Sequence, residues 1–304
     1  MQKINKHSNR PKPLRALVKS AMARLERMSE NRGALLGLST GFRDLDRITS
    51  GLQAGNLIEI AGRPSMGKTS LAMNIASNVA IQCKRPVGVF SLGMSAEQLV
   101  ERLLCSLAKV NLWSLRETTL GKQDHRRLTE SASKLVQSPL VIDDTAGLTI
   151  DQLCARARRM KRQNDIQLLV VDYLQLIRSR SRRSDANRQA DIADISVEIK
   201  SLAKELNIPV IMLSHLPSHP EHDDPCPRLS DCCKSCSIVQ DADVVGLLVR
   251  PETYADNEEE RKASKGKATL FIAKQRNGPT GDVPLVFLSE YMRFENPSCV
   301  PQTI

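Results

Sequence analysis

Aromatic side chains are scarce in this sequence: one Trp, three Tyr and five Phe among 304 residues. Proteins that hold single strands by stacking need several aromatic faces in one groove, so a stacking platform is not expected. Long apolar runs are missing too. Stretches such as Leu168 to Val171 end at a charge far short of the ~20 residues that span a bilayer. The opening residues Met1-Gln2-Lys3-Ile4-Asn5-Lys6-His7 lack the apolar core of a secretory leader, so export is not expected and a cytoplasmic setting is. In that reducing compartment the eight cysteines, several of them in apolar segments (Cys83, Cys105, Cys154), read as thiols rather than a disulfide framework. Negative charge is in deficit: 44 Lys and Arg face 34 Asp and Glu, a formal net charge of +10. That surplus points either to a nucleic-acid partner or to solvated basic faces.

The length suffices for one large domain with an appendage. Residues 1 to 12 are polar, basic and proline-containing, and disorder is expected there. Apolar residues then recur at positions 14, 17, 18, 21, 22, 25 and 28, one stripe at helical spacing, stopped by Asn31-Arg32-Gly33. Two readings of this helix stand: it folds onto its own domain, or it is donated to a neighbouring subunit.

From Leu38 onward short apolar runs alternate with helical patterns. Strands are expected at Asn56 to Ala61, Val87 to Leu92, Leu140 to Asp143, Gln167 to Asp172, Pro209 to Ser214, Asp243 to Val249, Ala268 to Ala273 and Val283 to Leu288. Helices are expected at Lys68 to Ala80, Ala96 to Ala108, Ile150 to Gln163 and Ala190 to Leu206. Continuously apolar strands alternating with helices predict an α/β fold with a mainly parallel central sheet, and the helix-poor last quarter predicts closing antiparallel strands.

Gly62-Arg63-Pro64-Ser65-Met66-Gly67-Lys68-Thr69 matches G-x-x-x-x-G-K-T, between a strand-like run and an amphipathic helix, which is the context a phosphate loop requires. Backbone N–H groups of such a loop curl around phosphates at a helix N-terminus. Lys68 is expected to neutralise the β- and γ-phosphates of ATP, and Thr69 to ligate Mg²⁺. About a hundred residues later, the strand Leu168-Leu169-Val170-Val171 ends in Asp172, the carboxylate expected to hold that magnesium beside Thr69.

Several blocks in order then resemble one family. They are Gly41-Phe42-Arg43-Asp44-Leu45-Asp46, the loop from Arg63 to Thr69, Asp172-Tyr173-Leu174-Gln175-Leu176, Ala203-Lys204-Glu205-Leu206, Gln240-Asp241-Ala242-Asp243 and Lys274-Gln275-Arg276-Asn277-Gly278-Pro279. Together they resemble the motor domain of DnaB-type replicative DNA helicases, from about Leu14 to Asn296. The resemblance implies a RecA-like P-loop NTPase fold over 38–296, a linker helix and connection over 13–37 and a tail over 297–304. It implies a hexameric ring of identical subunits moving along single-stranded DNA at the expense of ATP, with a primase or a helicase loader as further partners. The linker helix then docks on the adjacent subunit, and Lys274 and Arg276 enter the neighbour's ATP site. Family members also carry a helical domain ahead of the linker helix, which these residues do not include.

Three positions depart from the family pattern. In Ser91-Leu92-Gly93-Met94 the family has a water-polarising glutamate where this chain has Gly93. Without a substitute, hydrolysis is expected to fall by a factor on the order of 10² to 10⁴, while phosphate binding survives. Glu97, one helical turn on, is one conceivable substitute. At Ser214-His215 the family has Ser-Gln, so His215 stands at the γ-phosphate sensor. In Ser230-Asp231-Cys232-Cys233-Lys234-Ser235-Cys236 a loop that meets DNA has lost its arginine to Cys233 and its glycine to Cys236, while Lys234 and nearby Arg228 keep positive charge.

His215, His219, His222, Cys226, Cys232, Cys233 and Cys236 crowd into 22 residues. His219 with His222 and Cys233 with Cys236 have spacings that zinc can use, against the plainer reading of loop composition. The run Arg178-Ser179-Arg180-Ser181-Arg182-Arg183 follows the magnesium strand. The resemblance places this loop at the ring channel, where flexible Ser-Arg sequence suits sequence-independent phosphate contact, with a solvated outer loop as the alternative. Two activities remain open: an ATP-driven helicase motor, and a nucleotide- and DNA-binding ring protein that hydrolyses poorly and partners an active helicase. A recombination or clock ATPase of RecA-like fold is disfavoured by the linker helix and the Asp-Tyr-Leu-Gln block.

Overall fold

The computed structural model describes residues 13–30, 35–113, 121–179, 188–216, 236–255 and 257–297. The basic tail 1–12, the Asn31-Arg32-Gly33 stop, the arginines at 180, 182, 183 and 228, Lys234, His219, His222 and Cys233 lie outside them, as does the side chain of Cys236.

The chain begins with α1 (Leu14–Glu30) and α2 (Arg43–Thr49), and continues through β1 (Leu57–Gly62), α3 (Lys68–Ser77), β2 (Val87–Ser91), α4 (Ala96–Ala108) and α5 (Lys122–Val136). Next come β3 (Leu140–Asp143), α6 (Ile150–Asn164), β4 (Leu168–Asp172), α7 (Arg188–Leu206), β5 (Val210–His215), α8 (Cys236–Asp241) and β6 (Val244–Val249). The closing part holds α9 (Glu258–Ser264), β7 (Lys267–Gln275), β8 (Gly281–Leu288) and β9 (Arg293–Glu295). All nine strands form one sheet in the order β3-β2-β4-β5-β1-β6-β7-β8-β9. Six of them, β3 to β6 in that order, run parallel, and β7, β8 and β9 add on antiparallel. Each of the eight expected strands is present within a residue or two of its expected bounds.

The sequence pattern follows burial. Strands β1 and β6 are buried at every position, because helices cover both faces of the parallel region. One face packs Leu57, Phe90, Val171 and Met212 against Leu153 of α6 and Ile195, Ile199 and Leu202 of α7. The other packs Ile60, Val89, Val170 and Leu213 against Leu71 and Ile75 of α3 and Leu99 and Leu103 of α4. In β8 exposure alternates instead, with Val283, Leu285 and Phe287 turned inward, as an antiparallel strand near an edge requires. Capping boxes start α4 (Ser95 with Gln98) and α6 (Thr149 with Gln152), each satisfying two otherwise unpaired backbone donors.

The helix expected through Ala80 is regular to Ser77 and then widens into a π turn over Asn78–Gln82, where the Asn78 amide donates to the Thr40 carbonyl. Helix α5 is absent from the sequence-based expectation because it has almost no buried face, Ser131 alone among its residues being buried. Strand β9 is three residues long, and its pairing with β8 defines it. No described helix is long and apolar enough to cross a membrane.

Candidate nucleotide site

Parallel topology brings the ends of β1, β5, β4 and β2 to one edge of the sheet. In register, Gly62 on β1 lies beside His215 on β5, and Ser91 on β2 lies beside Asp172 on β4. Residues far apart in sequence therefore meet without any long side chain having to reach, at the strand ends where open α/β sheets bind ligands.

The phosphate loop springs from β1 and ends at Gly67, whose φ of +91° lies in the left-handed region that a glycine adopts without strain. A Cβ there would also come within 3.0 Å of the Phe294 ring. With no side chain at Gly67 to cap it, the first turn of α3 keeps its backbone N–H groups for a ligand. Residues that follow β6 brace the loop from outside. Arg250 donates to the Ser65 carbonyl at 3.0 Å and lies over the Phe287 ring, and Arg63 lies over the Tyr254 ring. Met66 is buried and anchors the loop to the core.

Lys68 is 7% exposed. Its ammonium donates to the Gly62 carbonyl at 2.7 Å and the Arg63 carbonyl at 2.8 Å, and lies 3.1 Å from His215 Nδ1. Burial brings its pKa down to about 8, with the Asp172 carboxylate opposing. Thr69 Oγ1 donates to Asp172 Oδ2 at 2.8 Å. Burial raises the Asp172 pKa, against the Thr69 hydrogen bond and the charges of Lys68 and Arg102. Thr69 and Asp172 thus place two hard oxygen donors side by side, the donor chemistry that suits Mg²⁺.

His215 lies edge-on to Tyr173, ring centroids 4.5 Å apart, and its main chain pairs with the Gln175 amide. Burial and the Lys68 charge hold its pKa below the ordinary value. Gly93 is two residues beyond β2 with ordinary backbone, and a Cβ there would come within 3.3 Å of Tyr173 and Leu176. Glu97 sits exposed in the first turn of α4.

Lys274 and Arg276 are not in this site. Because β7 runs antiparallel to β6, with Gln275 beside Val244, they reach the opposite edge of the sheet, at the start of β1 and β6. Five or six residues of strand separate the two edges, roughly 15–20 Å. There Lys274 donates to the Val239, Gln240 and Ala242 carbonyls, and Arg276 to the Gln240 and Asp241 carbonyls. Asp243 pairs with Lys200 and accepts the Leu57 N–H.

Of the expected nucleic-acid residues, Arg178 is described. It is exposed, and its main chain bridges to the segment before α6. No group of three or more metal-binding side chains occurs among the described residues, and the expected zinc pairs fall outside them.

One buried group escaped the sequence reading. Glu59, 2% exposed in the middle of β1, accepts from Ser214 Oγ at 2.6 Å, and its other oxygen is without a partner. Burial pushes its pKa up to about 7. The signal was a lone carboxylate in the apolar run Leu57-Ile58-Glu59-Ile60-Ala61.

A sequence profile of the DnaB-like helicase C-terminal domain matches residues 37–296. Replicative DNA helicase DnaC of Bacillus subtilis (strain 168) is 44% identical over 273 residues, covering 90% of this chain and 59% of that protein. Replicative DNA helicase DnaB of Geobacillus stearothermophilus is 42% identical over 292 residues, covering 96% and 63%. The chain thus spans about three fifths of the length of these relatives. Among solved structures, one isolated ATPase domain superposes with a TM-score of 0.83 at 31% identity, over 92% of this chain and 98% of that one. A DnaB-like replicative helicase solved for its interactions with primase superposes with a TM-score of 0.82 at 31% identity, over 95% and 67%.

Proposed function

The chain belongs to the DnaB-like helicase C-terminal domain family, and from that premise we propose that it is an ATP-driven motor that moves along single-stranded DNA in cytoplasmic DNA replication. The observation that carries this reading is the convergence of Lys68, Thr69 and Asp172 at one sheet edge while Lys274 and Arg276 stand at the other. The first edge binds a nucleoside triphosphate. The second cannot reach it within one chain, but reaches the site of an adjacent copy, which makes a ring of identical subunits, a hexamer by resemblance, the working unit.

The roles divide accordingly. Residues Gly62 to Thr69 hold the phosphates, and Lys68 turns from its loop carbonyls to the β- and γ-phosphates. Thr69 and Asp172 would hold Mg²⁺, which would neutralise charge on the phosphates. Arg276, with Lys274, stabilises charge developing on the γ-phosphoryl of the neighbour. Arg178, with the arginines at 180, 182, 183 and 228 and Lys234, supplies positive charge for the DNA backbone, so strand affinity falls steeply with salt. Helix α1 presents Leu14, Leu17, Val18, Met22 and Leu25 to solvent and docks as a linker on the next subunit. Further partners are a primase or a helicase loader.

Gly93 favours one competing reading, a ring subunit that binds nucleotide and DNA but hydrolyses little. Steady-state ATP hydrolysis with and without single-stranded DNA, compared between the native chain and Lys68→Ala, separates the two. DNA-stimulated turnover well above the variant supports the motor. Turnover equal to the variant, with nucleotide still bound, leaves the binding subunit.

A further inference from the structure

Gly93 and His215, two of the departures from the family pattern, meet at one side chain. The Tyr173 ring lies where a Cβ at position 93 would come within 3.3 Å, and the same ring packs edge-on against His215. Gly93 follows the end of β2 and His215 ends β5, so they flank the end of β4, where Asp172 sits. A carboxylate on one side of that strand end is gone, and an imidazole stands on the other.

The His215 ring is in a state to take a proton. Its Nδ1 is 3.1 Å from the Lys68 ammonium. An ammonium has only protons to offer, so Nδ1 carries its lone pair toward Lys68 and the neutral ring keeps its proton on Nε2. Burial and the Lys68 charge both disfavour the imidazolium. Lys68 and Tyr173 are the titratable groups against the ring. Other carboxylates are poorly placed: Glu97 is exposed on α4, Glu59 is buried against Ser214, and Asp172 is engaged by Thr69.

We propose that His215 is the general base of this chain's ATP hydrolysis, acting from the end of β5 in place of a glutamate at position 93. The proposal rests on the motor reading above. Once Lys68 swings to the phosphates, Nδ1 is the freed basic atom beside them. It takes a proton from the attacking water as the water oxygen bonds to the γ-phosphorus. The bond from γ-phosphorus to the bridging oxygen breaks, its electron pair leaves on ADP, and the imidazolium then returns its proton to solvent. Proton abstraction from the attacking water by a positioned imidazole is general-base catalysis.

The test uses the full chain with single-stranded DNA and three readouts: single-turnover hydrolysis, affinity for a non-hydrolysable ATP analogue, and the NMR titration of the His215 imidazole. His215→Gln keeps a hydrogen-bonding side chain and loses the basic one. It is expected to slow hydrolysis by about 100-fold or more while analogue affinity stays within about threefold, and Gly93→Glu in the same chain recovers the rate. The native rate is expected to fall with falling pH along the titration of His215. Hydrolysis by His215→Gln within about threefold of native overturns the proposal and leaves the motor intact. Loss of analogue affinity in step with rate overturns it too, assigning His215 to binding. Native hydrolysis no faster than Lys68→Ala removes the motor reading and the proposal together.

Discussion

The two edges of the central sheet are built from similar residues and do opposite things. At the phosphate-loop edge Lys68, Thr69, Asp172 and His215 satisfy one another at short range, so that edge is complete within one chain. At the far edge Lys274 and Arg276 are tied to main-chain carbonyls of their own chain and have no phosphate loop within reach. On the proposed reading, one subunit binds the nucleotide and another meets the charge that develops on its γ-phosphoryl. Antiparallel β7 is the cause, since it carries the basic pair backward along the sheet.

The sharpest way to break this comparison is to damage each edge separately. Arg276→Ala is expected to reduce DNA-stimulated ATP hydrolysis by about 10³-fold or more with nucleotide affinity nearly unchanged. Lys68→Ala is expected to lose affinity as well. Mixed rings of the two variants should hydrolyse measurably, because an intact loop can then face an intact arginine. If no mixture exceeds either variant alone, the two edges do not meet between subunits.

Glu59 sharpens the comparison from inside the sheet, midway between the edges. Its folded-state pKa of about 7 stands above the ordinary 4.5, so folding favours the protonated form. The stability it contributes is fully present below pH 4.5 and is lost as pH rises to 7 and beyond, by ~3 kcal/mol in all. Urea unfolding at about pH 5 and pH 8 checks this: Glu59→Gln should flatten that part of the slope, and an unchanged slope assigns the pH dependence elsewhere.

The smallest expected effect on the single chain is at α1. Val18, Met22 and Leu25 are each about half exposed. Replacing Met22 and Leu25 with Gln should change unfolding free energy by less than about 0.5 kcal/mol per site while shifting sedimentation from ring to smaller species. An unaltered assembly state would break the docking role and leave the edges to be joined by other contacts.

Much of the site was legible because its residues are also its local structure. Gly62 to Thr69 must follow a strand and start a helix to cradle phosphate, and Asp172 must end a buried strand, so each announced itself by its neighbours. The eight strands were legible for a related reason: burial on both faces leaves a continuous apolar run that charges and turns interrupt. Glu59 was harder, since a carboxylate inside such a run reads as an interruption until Ser214 is placed beside it. Tyr173 stands within a family block, but its place beside both Gly93 and His215 is invisible along the chain.

By itself, then, the sequence determined the phosphate-loop pattern, the carboxylate that ends β4, the parallel core and the absence of a side chain at position 93, because each depends on residues adjacent in the chain or on hydrophobic period. Only the tertiary structure decided that His215 lies against Lys68, that Gly93 and His215 share Tyr173, and that Lys274 and Arg276 face away from their own loop. Those facts follow from strand order and direction, which bring residues together or carry them apart by pairing across the sheet rather than by spacing along it.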